Sequence, residues 1–403
     1  MKNVLSLAVL ALFLAACASL PPEQQAQRIH ASAPVFDGHN DLPGEIRGAG
    51  SSFERYDIAQ RLDHGHTDIP RLRAGGVGAQ FWSAYIPTSE IAKGTSARHC
   101  REQIELIRAM CARYPKDMEL ALTAADVERI RSSGRIAGLI GIEGGHAIEN
   151  SLETLREFHA LGARYMTLTH NDTLDWADAA TDEAKHGGLT AFGEQVVREM
   201  NLLGMLVDIS HVSADTMRDV LRVSTAPVIA SHSSAFALVP HPRNVPDDVL
   251  RLVAKNGGVV MVNFAPGFVD AEAAKIFLGF YAAKRAIDAQ TTDEAERGRR
   301  VEEWRKANPL PPVPFTNVAD HIEHIARVAG VDHVGIGSDF DGIPAGPVGL
   351  EDVSTYPVLT AELLCRGWSE RDVRKVLGAN ALRVLRACER VASELRASEA
   401  RKR

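Results

Sequence analysis

Short apolar runs alternate with helix-compatible segments through most of the chain. Between Gly204 and Ser233, one apolar run ends at His211 and a second ends at His232, with a helix-compatible stretch over 213–223 between them. Runs rich in Val and Ile that alternate with helices are typical of parallel strands buried on both faces. The pattern therefore predicts a strand, helix, strand unit, repeated along the chain.

Eight such runs can be recognised, each short enough for one buried strand. They cover residues 34–41, 77–86, 136–142, 164–169, 204–210, 226–231, 258–264 and 333–338. Helices are predicted over 100–113, 124–132, 151–161, 193–203, 213–223, 246–255 and 318–329, and further helices over 359–397 are expected to pack outside. Eight strands with intervening helices predict a (β/α)8 TIM barrel, an α/β fold whose chemistry lies where the carboxyl ends of the strands meet.

Six of the eight predicted strand ends carry His, Asp or Glu. A single histidine at a strand end is usually a hydrogen-bonded loop residue, but repeated placement at one face predicts a shared site. The first strand carries two candidates, two residues apart, which places both on the same side of the strand. The candidates are His39, Asp41, Glu143, His170, His211, His232 and Asp339.

Five of these candidates form a nitrogen and oxygen ligand set without a thiolate: His39, Asp41, Glu143, His211 and His232. Such a set suits Zn²⁺ or another divalent metal. Five ligands exceed the need of one tetrahedral ion, so we expect two ions bridged by a carboxylate, able to share a hydroxide and polarise a carbonyl. Asp339 would then carry a proton to a leaving amine, and His170 would stabilise an oxyanion.

The connection between the last two predicted strands is unusually long and covers 265–315. It holds an apolar and aromatic patch at 276–281, a charged run over 293–306 and a proline-rich return over 309–314. A lid over the catalytic face and a solvated helix with a proline-rich return are both consistent with this composition.

The first residues have the composition of a targeting segment. Lys2 precedes an apolar stretch over 4–16 that is too short to span a bilayer and suits a signal peptide. Leu14-Ala15-Ala16-Cys17 resembles the lipobox of bacterial lipoproteins, in which the cysteine is lipidated. We therefore expect a signal peptide over 1–16, lipidated Cys17 with a flexible tether over 17–30, and a single barrel domain over 31–395. The expected location is the periplasmic face of a bacterial membrane, and Ala18 is compatible with outer-membrane sorting.

Composition narrows the partners and the redox chemistry. The chain has 403 residues, 45% of them hydrophobic, and its formal charge of -7 gives no reason to expect a nucleic acid partner. Cys100 and Cys111 lie in one predicted helix, about 16 Å apart, which is too far for a disulfide between them. Other pairings that involve Cys365 or Cys388 stay open.

Several motifs together resemble the membrane dipeptidase, or renal dipeptidase, family of zinc peptidases. The resemblance spans roughly residues 34–390, and the motifs occur in the family's order. They are Phe36-Asp-Gly-His-Asn-Asp-Leu-Pro43, Thr67-Asp-Ile-Pro-Arg71, Gly78-Ala-Gln-Phe-Trp-Ser83, Thr167-Leu-Thr-His170, Ser231-His-Ser-Ser234, Arg243-Asn-Val-Pro-Asp-Asp248 and Gly337-Ser-Asp-Phe-Asp-Gly342.

The resemblance implies a barrel of the amidohydrolase type that binds two Zn²⁺ and hydrolyses L-L and L-D dipeptides with a free carboxylate. By position, one zinc would be held by His39, Asp41 and Glu143, and the other by Glu143, His211 and His232. His170 would contact the substrate and the tetrahedral intermediate, Asp339 would be the acid and base, and Arg243 would bind the dipeptide carboxylate. Family members often form dimers, so a homodimer is also open.

Two other functions fit parts of the sequence. A lactonase or a peptide-maturation enzyme would use the same metal platform, and Arg243 favours a substrate with a free carboxylate without deciding between them. A non-catalytic binding lipoprotein predicts that a ligand or the acid and base residue is missing. All five candidate ligands and Asp339 are present, which argues against that function.

Overall fold

Nine parallel strands form one sheet in the computed structural model, which describes residues 20–402. The strands are β1 Val35–Asn40, β2 Val77–Tyr85, β3 Met118–Leu120, β4 Ile136–Glu143, β5 Ala163–Thr167, β6 Leu206–Asp208, β7 Ile229–Ala230, β8 Val259–Val262 and β9 Val334–Ile336. Nearly all their residues are buried, as expected for parallel strands covered by helices on one side and by the barrel interior on the other.

The sheet closes on itself into a barrel. The strand order is β2-β1-β9-β8-β7-β6-β5-β4-β3, and β2 also pairs with β4, so eight strands surround the interior. The short β3 pairs only with residues 136–138 of β4, while β5 pairs with residues 140–143 of the same strand. The predicted (β/α)8 barrel is confirmed, and β3 is an extra strand too short for the apolar pattern to reveal.

The helices surround the barrel and extend its catalytic face. They are α1 Pro22–Ser32, α2 Leu42–Gly48, α3 Ile69–Ala74, α4 Ser89–Lys93, α5 Ser96–Arg113, α6 Ala124–Ser132, α7 Leu152–Leu161, α8 Ala191–Leu203, α9 Ala214–Val223, α10 Asp247–Asn256, α11 Pro266–Val269, α12 Ala271–Gln290, α13 Glu294–Ala307, α14 Thr316–Ala329, α15 Tyr356–Cys365, α16 Glu370–Arg374 and α17 Asn380–Lys402.

Local signals explain why the helices stop where the strands must begin. Gly162, Gly204 and Gly257 follow α7, α8 and α10 with φ of 117°, 82° and 82°. Glycine adopts this left-handed conformation without the steric cost of a Cβ, so the chain can turn back into the next strand. At the N-terminus of α9, the Ser213 side chain accepts a hydrogen bond from the Thr216 backbone N–H, which caps the helix.

The expectation of a flexible tether over 17–30 is wrong for its second half, which forms α1. Ala26 and Ile29 are fully buried. The His30 ring lies 3.0 Å from the Gly75 carbonyl oxygen and 2.8 Å from the Thr360 hydroxyl of α15. A polar composition hid a helix that is stabilised by tertiary contacts, because only three of its residues need to be buried. Cys17 and the rest of residues 1–19 lie outside the described residues.

All four cysteines among the described residues are free thiols. Cys100, Cys111 and Cys388 are buried, whereas Cys365 is exposed. None of the helices within residues 20–402 is both long enough and apolar enough to cross a bilayer.

Candidate active site

The predicted metal ligands converge at the carboxyl ends of the strands. Their ligand atoms form two groups, each within 4.8 Å, of three residues: His39 with Asp41 and Glu143, and Glu143 with His211 and His232. Glu143 belongs to both groups because it ends β4, between the other strand ends. The two sets are those that the family resemblance implies.

Glu143 is the centre of the cluster. Its Oε1 lies 3.0 Å from His211 Nε2 and 3.4 Å from His232 Nε2, and its Oε2 lies 3.6 Å from His39 Nε2. Burial alone would raise the pKa of Glu143, but His39 and the hydrogen bonds from His211 and His232 hold that pKa well below its usual range. The carboxylate is therefore ionised and can serve two cations at once.

The outer nitrogens of two ligand histidines are held by hydrogen bonds. His39 Nδ1 lies 2.7 Å from the Tyr165 hydroxyl, and His232 Nδ1 lies 2.7 Å from the Ser231 hydroxyl. Ser231 in turn donates to the Asp208 carboxylate at 2.6 Å. Such partners orient a histidine so that Nε2 faces a metal. These contacts, together with carboxylates turned toward three Nε2 atoms, show that the residues present fit divalent metal ions.

Tyr165 reaches His39 because of a glycine. A Cβ at Gly141 would overlap the Tyr165 ring, so the ring crosses the barrel interior over a residue without a side chain. Tyr165 and Gly141 are also paired across β4 and β5. In the sequence, Tyr165 has the pattern of an ordinary core aromatic, and nothing there indicates its contact with His39.

Asp339 faces the same cluster from the end of β9. Its carboxyl belongs to a third group with His39 and His232, and Asn263 donates a hydrogen bond to Asp339 Oδ2 at 2.9 Å. Burial raises the pKa of Asp339 to about 7, against the attraction of His39 and with added repulsion from Asp41 and Glu143. A bound cation would lower that pKa again. Asn263, which directly follows β8, thus holds this carboxyl in place.

His170 lies beside the cluster rather than within a ligand group. Its Nε2 is 3.8 Å from Glu143 Oε1, and its ring centroid is 4.4 Å from that of His211. Burial lowers the pKa of His170, so its imidazole is neutral at pH 7 and can donate a hydrogen bond without a charge.

Arg243 is buried near the cluster without an acidic partner. Its side chain donates to Ser233 Oγ and to the His232 carbonyl oxygen, both at 3.3 Å, and its guanidinium lies 5.2 Å from the Phe268 ring centroid. Arg243 is 1% exposed, and among residues 20–402 it forms no ion pair. A buried guanidinium without a counter-charge is costly, so an anion is expected to complete this site.

The cluster opens into a cavity of about 710 Å³. Glu143, His170, Arg243 and Asp339 lie along one part of its lining. Another part is formed by the long connection after β8, which contributes Phe277, Phe280 and Tyr281 from α12 and Trp304 and Arg305 from α13. Part of this connection thus faces the site, while other residues of the same helices are exposed to solvent.

Backbone strain marks the same place. His211, Asp339 and Asp341 have φ of 67°, 65° and 66°, in the left-handed region that residues with a Cβ rarely adopt. Strain of this kind persists where the surrounding structure holds a functional geometry. The Asp341 Oδ1 also accepts a hydrogen bond from the His66 backbone N–H at 2.5 Å.

A (β/α)8 barrel with histidines and carboxylates gathered at the strand ends defines a metal-dependent hydrolase. The model of the membrane dipeptidase family, peptidase family M19, matches residues 23–399, and the chain belongs to that family. It is therefore a metallo-dipeptidase by class. Dipeptidase 3 from Macaca fascicularis is 42% identical over 384 residues, which are 94% of this chain and 70% of that protein. Human dipeptidase 3 is 42% identical over 378 residues, or 93% and 69% of the two chains.

Solved structures agree with this assignment. The structure of dipeptidase AC, an M19 metallopeptidase, has a TM-score of 0.71 at 28% identity and covers 88% of this chain and 98% of its own. A metallopeptidase from Rhodobacter sphaeroides, liganded with a phosphinate mimic of the dipeptide L-Ala-D-Ala, has a TM-score of 0.71 at 26% identity, with 88% and 99% covered. The probable dipeptidase PvdM from Pseudomonas aeruginosa, at 23% identity and a TM-score of 0.80, shows the fold alone and covers 92% and 99%.

Proposed function

We propose that this protein hydrolyses dipeptides that carry a free C-terminal carboxylate, and that it does so with two Zn²⁺ bound at the strand ends. The observation that carries the proposal is Arg243, which is buried beside the candidate metal ligands and forms no ion pair within residues 20–402, although Asp339 and Glu143 attract it from farther away. A peptide carboxylate supplies the missing charge and can accept two hydrogen bonds from the guanidinium.

This placement also positions the substrate. Arg243 donates to the backbone carbonyl oxygen of His232, whose side chain is a candidate metal ligand. The guanidinium therefore lies beside the candidate metal ligands. A substrate carboxylate bound by Arg243 thus brings the peptide bond that precedes the C-terminal residue to the candidate metal ligands.

The cluster residues divide the chemical work. His39, Asp41 and Glu143 would hold one ion, and Glu143, His211 and His232 the other. Bound divalent ions would supply an activated water and polarise the scissile carbonyl. Asp339, steadied by Asn263, would accept a proton from the attacking water and deliver it to the leaving amine. The neutral His170 would donate a hydrogen bond to the developing oxyanion.

The first test is a panel of dipeptides with free and amidated C-termini, assayed alongside metal analysis of the same preparation. We expect about two zinc ions per chain and cleavage only of the peptides with a free carboxylate. Arg243→Ala should lower kcat/KM by about 100-fold or more while metal content stays unchanged, since buried charged contacts of this kind contribute several kcal/mol. Equal cleavage of the amidated peptides would overturn the role of Arg243, and bound metal with no dipeptide cleavage would favour a lactonase or a peptide-maturation enzyme.

Acceptance of L-D dipeptides is part of the proposal. It is supported by the Rhodobacter sphaeroides relative, whose structure holds a mimic of L-Ala-D-Ala. The matched comparison is L-Ala-L-Ala against L-Ala-D-Ala at equal concentration. A ratio of kcat/KM beyond about 1,000 in favour of the L-L peptide would exclude the L-D class.

We further propose that the enzyme is a lipoprotein anchored at the periplasmic side of a bacterial outer membrane. The support is the sequence Leu14-Ala15-Ala16-Cys17 after an apolar run. Metabolic labelling with a radioactive fatty acid should mark the wild type and fail with Cys17→Ser. Equal labelling of both proteins would contradict the anchor.

A further inference from the structure

The helix α12 passes across the mouth of the barrel. It begins directly after α11, where the Asp270 side chain accepts hydrogen bonds from the backbone N–H groups of Glu272 and Ala273. Farther along, Arg285 Nη1 donates to the Thr181 carbonyl oxygen at 2.9 Å, in the segment between β5 and α8. The helix therefore connects loops that follow two separate strands of the barrel.

One face of α12 packs on Phe268, whose ring contacts the Arg243 guanidinium. The Phe277 and Phe268 ring centroids are 5.6 Å apart at an angle of 72°, and the Arg243 guanidinium lies 5.2 Å from the same Phe268 ring. Gly267 allows this approach, because a Cβ there would overlap the Phe277 ring. Phe277 thus lies one ring away from the guanidinium and lines the same cavity.

The next turn of α12 brings a hydroxyl toward the same place. Tyr281 lines the cavity together with Arg243, and its ring centroid lies 6.1 Å from that of His241. His241 Nδ1 in turn accepts a hydrogen bond from the Arg243 backbone N–H at 3.2 Å. Burial raises the pKa of Tyr281 to about 12, against the attraction of the Arg243 charge. Among residues 20–402 the Tyr281 hydroxyl has no hydrogen-bond partner, so its proton is available to a ligand.

We propose that α12 builds the subsite for the C-terminal residue of the substrate. Phe277 and Phe268 form an apolar wall that favours a large apolar side chain on that residue, and the Tyr281 hydroxyl is a second donor to the carboxylate held by Arg243. The proposal rests on the proposed function, since Arg243 must bind the substrate carboxylate. The residue that carries this carboxylate is the one whose side chain lies nearest to Phe268 and Phe277.

The wall is tested with Phe277→Ala and two substrates, L-Ala-Gly and L-Ala-L-Phe. Truncation should lower kcat/KM for L-Ala-L-Phe about tenfold and change that for L-Ala-Gly less than twofold, because only the larger side chain loses contact area. Leu278→Ala is the matched control, since Leu278 lies on the same helix and is 42% exposed. Phe277→Leu provides a milder variant if truncation impairs folding, as judged by thermal melting. Equal losses for both substrates, or none, would overturn the wall.

The donor is tested with Tyr281→Phe, which removes only the hydroxyl. We expect KM to rise about three- to tenfold for both dipeptides, with kcat within twofold, because one hydrogen bond to a charged group is lost. An unchanged KM would overturn the role of Tyr281. If the wild type cleaves no dipeptide at all, the proposed function fails. If the wild type cleaves both dipeptides and the Phe277 and Tyr281 variants match its kinetic constants for both, only this inference fails.

Discussion

The metal cluster and the α12–α13 hairpin line the same cavity but are built differently. His39 and His232 are fully buried, and their rings are held by Tyr165 and Ser231. The hairpin is largely exposed, and in α12 only Ala273, Ala274 and Ile287 are buried. The candidate metal ligands are thus held by fully buried surroundings, whereas this part of the cavity wall is formed by largely exposed helices.

This difference assigns separate tasks to the two regions. Catalytic geometry tolerates displacements of only about 0.5 Å, so ligands belong on strands whose neighbours restrict them. A wall that selects a side chain needs only shape and polarity. Changes in the cluster should therefore alter metal binding and turnover, and changes in the hairpin should alter substrate choice.

The largest expected effect follows from removing the shared carboxylate. Glu143→Gln should lower kcat/KM about 1,000-fold or more and reduce bound zinc, because a neutral amide cannot serve two cations. Metal analysis and dipeptide kinetics on one preparation measure both. Glu199→Gln, which removes from α8 a carboxylate paired with Arg156 of α7, is the matched control and should keep the metal. Full metal content in Glu143→Gln would refute the bridging role.

A smaller effect is expected from a residue that is hydrogen-bonded to a candidate metal ligand. Tyr165→Phe keeps the ring and leaves His39 Nδ1 without its hydroxyl partner. Metal affinity should fall about 10- to 100-fold, measured by competition with a chelator. Tyr114→Phe removes a comparable hydroxyl that lies outside the cluster and donates a hydrogen bond to Asp57 at 3.0 Å. This variant should leave the metal affinity unchanged. Equal affinities in the two variants would show that the hydroxyl does not orient His39.

A buried histidine outside the site sharpens the comparison by showing tight packing without catalysis. Burial lowers the pKa of His30 from 6.5 to about 4, so the folded protein binds fewer protons than the unfolded chain between these values. Its contribution to stability is present above pH 6.5 and is lost as the pH falls. The free energy of unfolding should drop by about 2 kcal/mol between pH 7 and pH 5 through this group. Chemical denaturation of His30→Gln should show a shallower pH dependence, and an unchanged slope would contradict the assignment.

The smallest effect is expected on the outer face of the hairpin. Lys306 and Glu302 are 74% and 57% exposed and lie 3.6 Å apart on α13. Lys306→Ala should cost less than about 0.5 kcal/mol of stability, because water screens such pairs. Metal content and kcat/KM should stay within error of the wild type. A loss of metal on this substitution would mean that the two regions are coupled.

The apolar pattern predicted most of the barrel and missed what depended on distant neighbours. The runs that end at His211 and His232 were recognised because strand length and composition are local properties. The structure shortens their ladders to Leu206–Asp208 and Ile229–Ala230, since the chain leaves the sheet to place the histidines. The helix α1 was missed because it is stabilised by packing against α15, which lies far away along the chain.

Within the site, residue type was readable from the sequence and partnership was not. Histidines and carboxylates at strand ends predict a metal site because few other arrangements stabilise them there. Asp208 lies inside the predicted apolar run over 204–210, and Tyr165 lies inside β5, so neither residue has such a signal. Their importance comes from Ser231 and His39, which are 23 and 126 residues away along the chain.

The sequence by itself determined the barrel, the candidate ligands and the resemblance to a peptidase family, because these depend on periodicity and on residue types at strand ends. Only the tertiary structure decided which groups orient the ligands, that Arg243 is buried with no ion pair among residues 20–402, and that α12 brings Phe277 and Tyr281 to the cavity. Those features arise where segments far apart in the chain meet, and no local pattern encodes the meeting.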